Sequence, residues 1–275
     1  MKEKVGIIGL GYVGGAVHNW FQSRKAPPTD LFLYDKFKEI GSVEEVNKAN
    51  IVFIAVPTPY HEGPAYVEAS SGRRGYDDSA IMYCLNILKK PKIVVIKSTI
   101  LPGSTEMYQR KFPRHSILFS PEFLVAKTAK QDFIKPLRQI VGYTEKSKRY
   151  AKRVMALLPQ ARFAKIIGAS EAEMVKYFGN TFLSTRVVFA NQIYDLCAKL
   201  RINYDLVKES AGADPRIGYS HFDIFFDGYR GYGGACLPKD IRALIDLGKK
   251  HVGDFSLLEV VDRINNDLQK NGKGE

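Results

Sequence analysis

Four residues of strand character, Val5-Gly6-Ile7-Ile8, lead without a break into Gly9-Leu10-Gly11-Tyr12-Val13-Gly14, and helical periodicity then runs from Gly15 to about Ser23. Few folds accept a strand, a glycine turn and a helix in that order. The glycines permit a tight turn, close approach of a pyrophosphate to the backbone and close packing of helix on strand, while N–H groups at the helix start face the phosphates. Leu31-Phe32-Leu33-Tyr34 reads as a second strand ending at Asp35, 26 positions after Gly9. An acid there binds both ribose hydroxyls and repels a 2′-phosphate, so NAD is favoured over NADP, with Lys36 and Lys38 as the nearby cations that argue the other way. Gly9, Gly11, Tyr12, Val13, Gly14 and Asp35 are the expected dinucleotide contacts.

Further strands are expected at Ile51 to Val56, Lys92 to Ile96, Ser116 to Phe119 and Gln139 to Gly142, with helical stretches between several of them. Alternating strands and helices define an α/β fold, a Rossmann-type doubly wound parallel sheet. Ligands of such sheets bind at the carboxyl ends of the strands. The segments there are Val56-Pro57-Thr58-Pro59, Lys97-Ser98-Thr99 and Ser120-Pro121-Glu122-Phe123-Leu124, and together they would line one crevice. Between Tyr60 and Tyr76 the composition turns to Gly, Ser and Arg, and Ser70 to Gly75 reads as a surface loop. After Ile167 the pattern changes to long helices, so residues 1–167 and 168–275 are the two expected domains, the second all-helical. Ser170 and Glu173 have the spacing of a capping box, which predicts a helix from about Glu171 to Ala198. On it Lys176 and Asn180 are one turn apart and share a face.

The decisive thiol lies in Gly231-Tyr232-Gly233-Gly234-Ala235-Cys236-Leu237-Pro238-Lys239-Asp240. Pro238 suits the first turn of a helix, so Cys236 precedes a helix N-terminus, where the dipole and Lys239 favour the nucleophilic thiolate. Asp240, one helical turn on, can hold a proton, a water or a lysine. Cys84 and Cys197 stand in apolar helical patterns and read as buried. Three cysteines with no close pairing in the sequence and five histidines without ligand spacing indicate neither a disulfide framework nor a metal site, and fit a reducing cytoplasm. No apolar run reaches the roughly 20 residues that span a bilayer. Lys2 and Lys4 precede an apolar stretch, but its glycines mark strand and turn rather than a secretory leader. The net charge of +12 suits phosphorylated small molecules as well as it suits nucleic acid. Lys146, Lys148, Arg149, Lys152 and Arg153 read as a solvated helix face, and no nucleic-acid motif accompanies them.

Taken in order, Gly9 to Gly14, Val56 to Pro59, Lys97 to Thr105, Ser120 to Leu124, Glu173 to Asn180, Asp214 to Gly218 and Gly231 to Asp240 resemble the UDP-glucose/GDP-mannose dehydrogenase family. The resemblance implies an NAD-dependent enzyme that oxidises a nucleotide-sugar alcohol to a carboxylate in two hydride transfers, through a thiohemiacetal and a thioester on Cys236. It implies oxyanion donors at Lys176 and Asn180, proton transfer at Asp240 and thioester hydrolysis at Glu122. NAD contacts are implied at Pro57, Thr58, Ser98, Thr99 and Lys239, with Thr99 also beside the reacting water. Substrate contacts are implied at Phe123, Leu124, Lys176, Asn180, Phe225 and Gly233, and Arg216 reaches the neighbouring subunit's substrate, which makes the protein a homodimer.

Two departures stand out against that pattern. Ala126 occupies the position of a second family glutamate, and the family continues as a third, nucleotide-gripping domain whose counterpart a separate chain could supply. A single-step 3-hydroxyacid dehydrogenase, which also uses a helical lysine and asparagine, and a nucleotide-binding scaffold without catalysis remain as alternatives. Neither gives Cys236 a covalent task.

Overall fold

The computed structural model describes residues 3–23, 29–61, 75–125, 128–226 and 228–271. The sequence-expected loop up to Arg74, Ala126 and the last four residues lie outside them. The opening strand, turn and helix are β1 (Glu3–Ile8) and α1 (Tyr12–Gln22). The chain continues through β2 (Thr29–Asp35), β3 (Ile40–Gly41), α2 (Val43–Val46) and β4 (Ile51–Ile54). A small hairpin of β5 (Tyr60–His61) and β6 (Gly75–Tyr76) precedes α3 (Ser79–Ile87) and β7 (Ile93–Ile96). Then come α4 (Ser104–Lys111), β8 (Ser116–Phe119), α5 (Ala129–Ile134), β9 (Arg138–Tyr143), α6 (Ala151–Leu157) and β10 (Phe163–Gly168).

The large sheet runs in the order β10-β9-β8-β7-β4-β1-β2-β3. Its centre, β2, β1, β4, β7 and β8, is parallel. The reason is visible in the strands themselves. Ile51–Ile54 and Ile93–Ile96 bury every residue, as strands covered by helices on both faces must. Alternation then divides the side chains: Val5, Ile7, Phe53 and Val95 pack with Val17 and Trp20 on one face. Ile8, Val52, Ile54 and Val94 pack with Leu85 and Tyr108 on the other. The edges depart from the parallel expectation, because β3 runs against β2 and β9 runs against β8, with β10 parallel to β9. β10 escapes the sequence pattern since its first three residues face solvent.

The chain divides into two compact units, residues 1–176 and 177–275, and α7 (Ala169–Leu200) passes through the division. Beyond α7 lie α8 (Tyr204–Gly212), the hairpin β11 (Phe225–Phe226) and β12 (Tyr229–Arg230), α9 (Leu237–His251) and α10 (Ser256–Asn271). Val187 and Val188 of α7 pack with Ile241 and Ile245 of α9 and Val261 of α10. The turn into the cysteine segment is fixed from α10: Gly231 has φ +81°, and the next residue, Tyr232, donates its N–H to Asn265 Oδ1 at 2.6 Å. A side chain at Gly231 would collide with that same asparagine oxygen.

The Ser170–Glu173 spacing does not form a capping box. The helix begins at Ala169, so Ser170 already lies inside it. The fully buried Glu173 instead caps α4: Oε2 accepts the Gly103 N–H at 2.6 Å, and Oε1 accepts the N–H and the hydroxyl of Thr105 at 2.8 and 2.6 Å. Burial pushes this carboxyl up to about 7 against the hydrogen bonds that hold it down. Glu173→Ala leaves buried donors unmet and should destabilise the chain by about 2 kcal/mol in urea unfolding, with Glu173→Gln losing less. A carboxyl raised in the folded state stabilises below its ordinary 4.5 and loses that contribution as pH rises towards 7. Wild type should therefore weaken relative to Glu173→Gln across that interval.

Candidate active site

The glycine turn has the geometry of a pyrophosphate cradle. Gly9 has φ +85°, and a Cβ on Gly14 would stand 1.8 Å from the Gly9 carbonyl oxygen, so neither position accepts a side chain. Gly11, the N-cap of α1, faces open space instead and caps nothing with a side chain, which leaves the helix start accessible to an anion. Tyr12 is exposed and Val13 half-buried at that start. Asp35 holds the turn from the end of β2: Oδ2 accepts the Leu10 N–H at 2.7 Å, and Oδ1 accepts those of Phe37 and Lys38 at 3.0 Å. Lys38 is tied down too, donating its ammonium to the Leu10 carbonyl at 2.7 Å. Lys36, the other cation that argued for a 2′-phosphate, stands over the Tyr83 ring at 5.5 Å, and the residues thus fit NAD.

At the ends of β4 and β7 two hydroxyls bind the neighbouring segments together. Ser98 donates to the Val56 carbonyl at 2.6 Å and Thr58 to the Thr99 carbonyl at 2.8 Å. Tyr76 donates to that same Thr99 carbonyl at 3.1 Å. Pro57 is exposed between them. The polar groups expected to touch a ligand here also set the shape of the crevice wall.

After β8 the chain turns at Pro121 and delivers Glu122 to Lys176. The lysine ammonium donates to Glu122 Oε1 at 2.8 Å and to the Glu122 carbonyl at 3.0 Å, and Oε2 accepts the Leu124 N–H at 2.7 Å. The two side chains are 10% and 6% exposed, so this is an ion pair withdrawn from water. Burial alone would raise the Glu122 carboxyl; the charge and hydrogen bond of Lys176, aided by Leu124 and Lys97, hold it below its ordinary 4.5. Phe123 carries the Arg138 guanidinium over its ring at 3.8 Å. A cavity of about 450 Å³ opens beside these groups, lined by Lys97, Glu122, Phe123, Leu124, Phe133 and Arg138 among others.

In the second unit Cys236 is the N-cap of α9 and is exposed, with Pro238 in the first turn but at its second position, since the helix begins at Leu237. Asp240 is fully buried beneath it. One carboxylate oxygen accepts Asn180 Nδ2 at 2.5 Å and the other the Lys239 ammonium. The asparagine and lysine that the sequence offers as separate contacts thus meet on one aspartate. Cys84 and Cys197 are buried, and burial pushes the Cys84 thiol up to about 12. Arg216 is exposed and paired with Asp214 at 2.6 Å; Phe225 is half-exposed, edge-on to Tyr194. Gly233 lies under the Tyr229 hydroxyl, where a Cβ would clash at 2.6 Å.

Sequence reasoning passed over Lys97, Arg138 and the true partner of Glu173. Lys97 did leave a signal, a lysine closing an otherwise apolar strand. Among the described residues no helix is long and apolar enough to cross a membrane, and no group of three or more His, Cys, Asp or Glu is placed to hold a metal ion. The Lys146 to Arg153 basic residues are exposed.

A doubly wound sheet with a glycine cradle and an acid at the end of β2, followed by a helical unit, defines a dinucleotide-binding oxidoreductase fold. Residues 34–159 match the NAD binding domain of the UDP-glucose/GDP-mannose dehydrogenase family, and residues 170–267 match its central domain. The UDP-glucose 6-dehydrogenase of Rickettsia conorii is 32% identical over 242 residues, 86% of this chain and 53% of that protein. The solved UDP-glucose dehydrogenase of Pyrobaculum islandicum is 26% identical with a TM-score of 0.80, over 97% of this chain and 68% of that one. A 3-hydroxyisobutyrate dehydrogenase of Mycobacterium tuberculosis has a TM-score of 0.74 at 14% identity, a likeness of fold alone. The chain belongs to the UDP-glucose/GDP-mannose dehydrogenase family and spans about half the length of the curated relatives it matches.

Lys176→Met tests the buried pair. It strands the Glu122 charge and should cost on the order of 3 kcal/mol at pH 7 by denaturant unfolding. A carboxyl held low in the folded state stabilises above its ordinary 4.5 and loses this as pH falls through its folded value, so the gap between wild type and variant should close in acid.

Proposed function

We propose that this protein oxidises a nucleotide-sugar alcohol to its carboxylate in two NAD-dependent steps, as in conversion of UDP-glucose to UDP-glucuronate. The observation that carries the reading is the placement of Cys236, exposed at the start of a 15-residue helix beside Lys239 and above Asp240, while the other two cysteines are buried. NAD, when bound, takes up one hydride in each oxidation. In the first, the substrate hydroxyl gives its proton to a water held by Asp240, and the carbon becomes an aldehyde. The Cys236 thiolate adds to that carbon, and the resulting oxyanion is stabilised by hydrogen bonds from Lys176 and Asn180. Loss of the second hydride leaves a thioester. Glu122 takes a proton from water as it attacks the thioester carbon, the C–S bond breaks, and the thiolate returns. Thr99 orients this water beside the cofactor, which Pro57, Thr58, Ser98 and Lys239 contact. Phe123, Leu124, Phe225 and Gly233 contact the sugar nucleotide.

In this reading residues 1–167 form the NAD-binding domain and 168–275 the helical domain, working in the cytoplasm as a homodimer. Exposed aromatic side chains on α7, Phe178, Phe182 and Phe189, support a second copy on that helix, and Arg216 then serves the neighbour's substrate. The fold is shared with a 3-hydroxyisobutyrate dehydrogenase, which keeps a single-step 3-hydroxyacid oxidation as the competing reading. Wild type and Cys236→Ser, incubated with NAD and a panel of UDP- and GDP-sugars, separate them. We expect two NADH per acid formed in wild type and a loss of at least about a thousandfold in the variant. One NADH per carbonyl product, unaffected by Cys236→Ser, would establish the single-step reaction; NAD binding without turnover would establish a scaffold.

A further inference from the structure

Lys97 directly follows β7 and is 1% exposed, and no step above uses it. Its ammonium donates to Ser120 Oγ at 3.1 Å and to the Pro121 carbonyl at 3.3 Å, and stands 5.6 Å from the centre of the Phe133 ring. Those acceptors form the turn that delivers Glu122. Two neutral oxygens and a ring face are a poor exchange for the water a lysine gives up on burial. Compensation comes from charge at longer range: Glu122 strengthens its hold on a proton and Lys176 weakens it.

We propose that Lys97 is a positioning residue for Glu122, anchoring the Ser120–Pro121 turn from below and setting, by gain or loss of its proton, the net charge of a buried Lys97–Glu122–Lys176 cluster. The inference rests on the reading of Glu122 as the group that activates water. With Lys97 neutral, Glu122 and Lys176 balance and the carboxylate keeps its basicity. Protonation of Lys97 makes the cluster cationic, stabilises the Glu122 anion further and makes it a weaker base. Burial lowers the Lys97 ammonium to about 7, so this exchange falls in the physiological range. The other charged groups lining the same cavity are Asp132, Lys135 and Arg138. Asp132 is engaged by the Val125 N–H and the Thr128 hydroxyl, and Arg138 by the Phe123 ring.

The test compares wild type, Lys97→Met and Lys97→Arg in the whole chain. An ammonium lowered in the folded state makes wild type gain stability relative to Lys97→Met as pH rises from about 7 towards the ordinary 10.5. We therefore expect the denaturant midpoint of wild type to rise relative to that of Lys97→Met between pH 7 and 9; a difference constant from pH 6 to 9 overturns the proposal. Should Lys97→Met not fold, NMR of lysine labelled at Cε reads the same titration in wild type, and Glu122→Gln should move it to lower pH. A Lys97 signal that stays charged through pH 9, or ignores Glu122→Gln, overturns it equally. In turnover, Lys97→Met should lower kcat about tenfold with KM changed less than about threefold, and should lose the rise in kcat around neutral pH. Lys97→Arg, which keeps its charge, should stay slow through pH 9. Wild-type pH profiles in both variants refute the proposal. A wild type that turns over no nucleotide sugar refutes the reaction instead, and the unfolding and NMR titrations alone then decide the place of Lys97.

Discussion

A carboxylate withdrawn from water needs donors, and four buried or nearly buried acids in this chain meet that need at its functional points. Asp35 collects backbone N–H groups and so holds the glycine turn. Glu173 collects those at the start of α4, while Glu122 takes an ammonium and one N–H. Asp240 takes an amide and an ammonium. Unpaired, each would cost several kcal/mol or give up its charge. Satisfied, each fixes a loop or a helix in place. The same constraint that holds the backbone in shape also orients Lys176, Asn180 and Lys239.

Helix α7 distributes three of these tasks. Glu173, Lys176 and Asn180 follow one another at spacings of three and four, which puts them along one stripe of the helix. Within the first unit Glu173 grips α4 and Lys176 grips Glu122; within the second Asn180 grips Asp240. The stripe spans about two turns of a helix of 32 residues. Truncating any one contact leaves a buried charge or polar group behind, so polar pairing adds to the packing of Val187 and Val188 in holding α7.

What could be read from the sequence was whatever sterics and alternation impose locally. The turn at Gly9 to Gly14, the apolar strand Ile93–Ile96, the largely apolar strand Ser116–Phe119 and the start of α9 near Pro238 depend on neighbours in the chain, and the structure has them close to where the pattern put them. Tertiary partners are another matter. Ser170 and Glu173 have the spacing of a local cap, yet the acid turns to a helix seventy positions earlier, because buried N–H groups there compete for it. The direction of β9 and the existence of β10 depend on what lies beside them. Lys97 looked like one more residue of a hydroxyl-bearing segment until its burial and its nearness to Glu122 and Lys176 became visible.

The three cysteines show why residue type alone does not assign chemistry. Cys84 is packed among Ile81, Leu85 and Leu88, and an apolar environment there favours the neutral thiol so strongly that no anion forms near neutral pH. Cys197, packed with Ala190, Tyr204 and Phe222, is likewise sealed from any substrate. Cys236 differs from both: it is exposed, stands as the N-cap of α9, and has Lys239 within the first turn of that helix. A helix N-terminus and a nearby ammonium favour thiolate over thiol, and exposure gives access. Neither would be useful without Asp240, whose buried carboxylate gathers Lys239 and Asn180 and so places a cation and an amide close to the sulfur's own helix turn. In the proposed reaction, nucleophile, charge and donor would therefore be set by one helix N-terminus and one buried acid, which is the structural ground for assigning the chemistry to this cysteine and not to the other two.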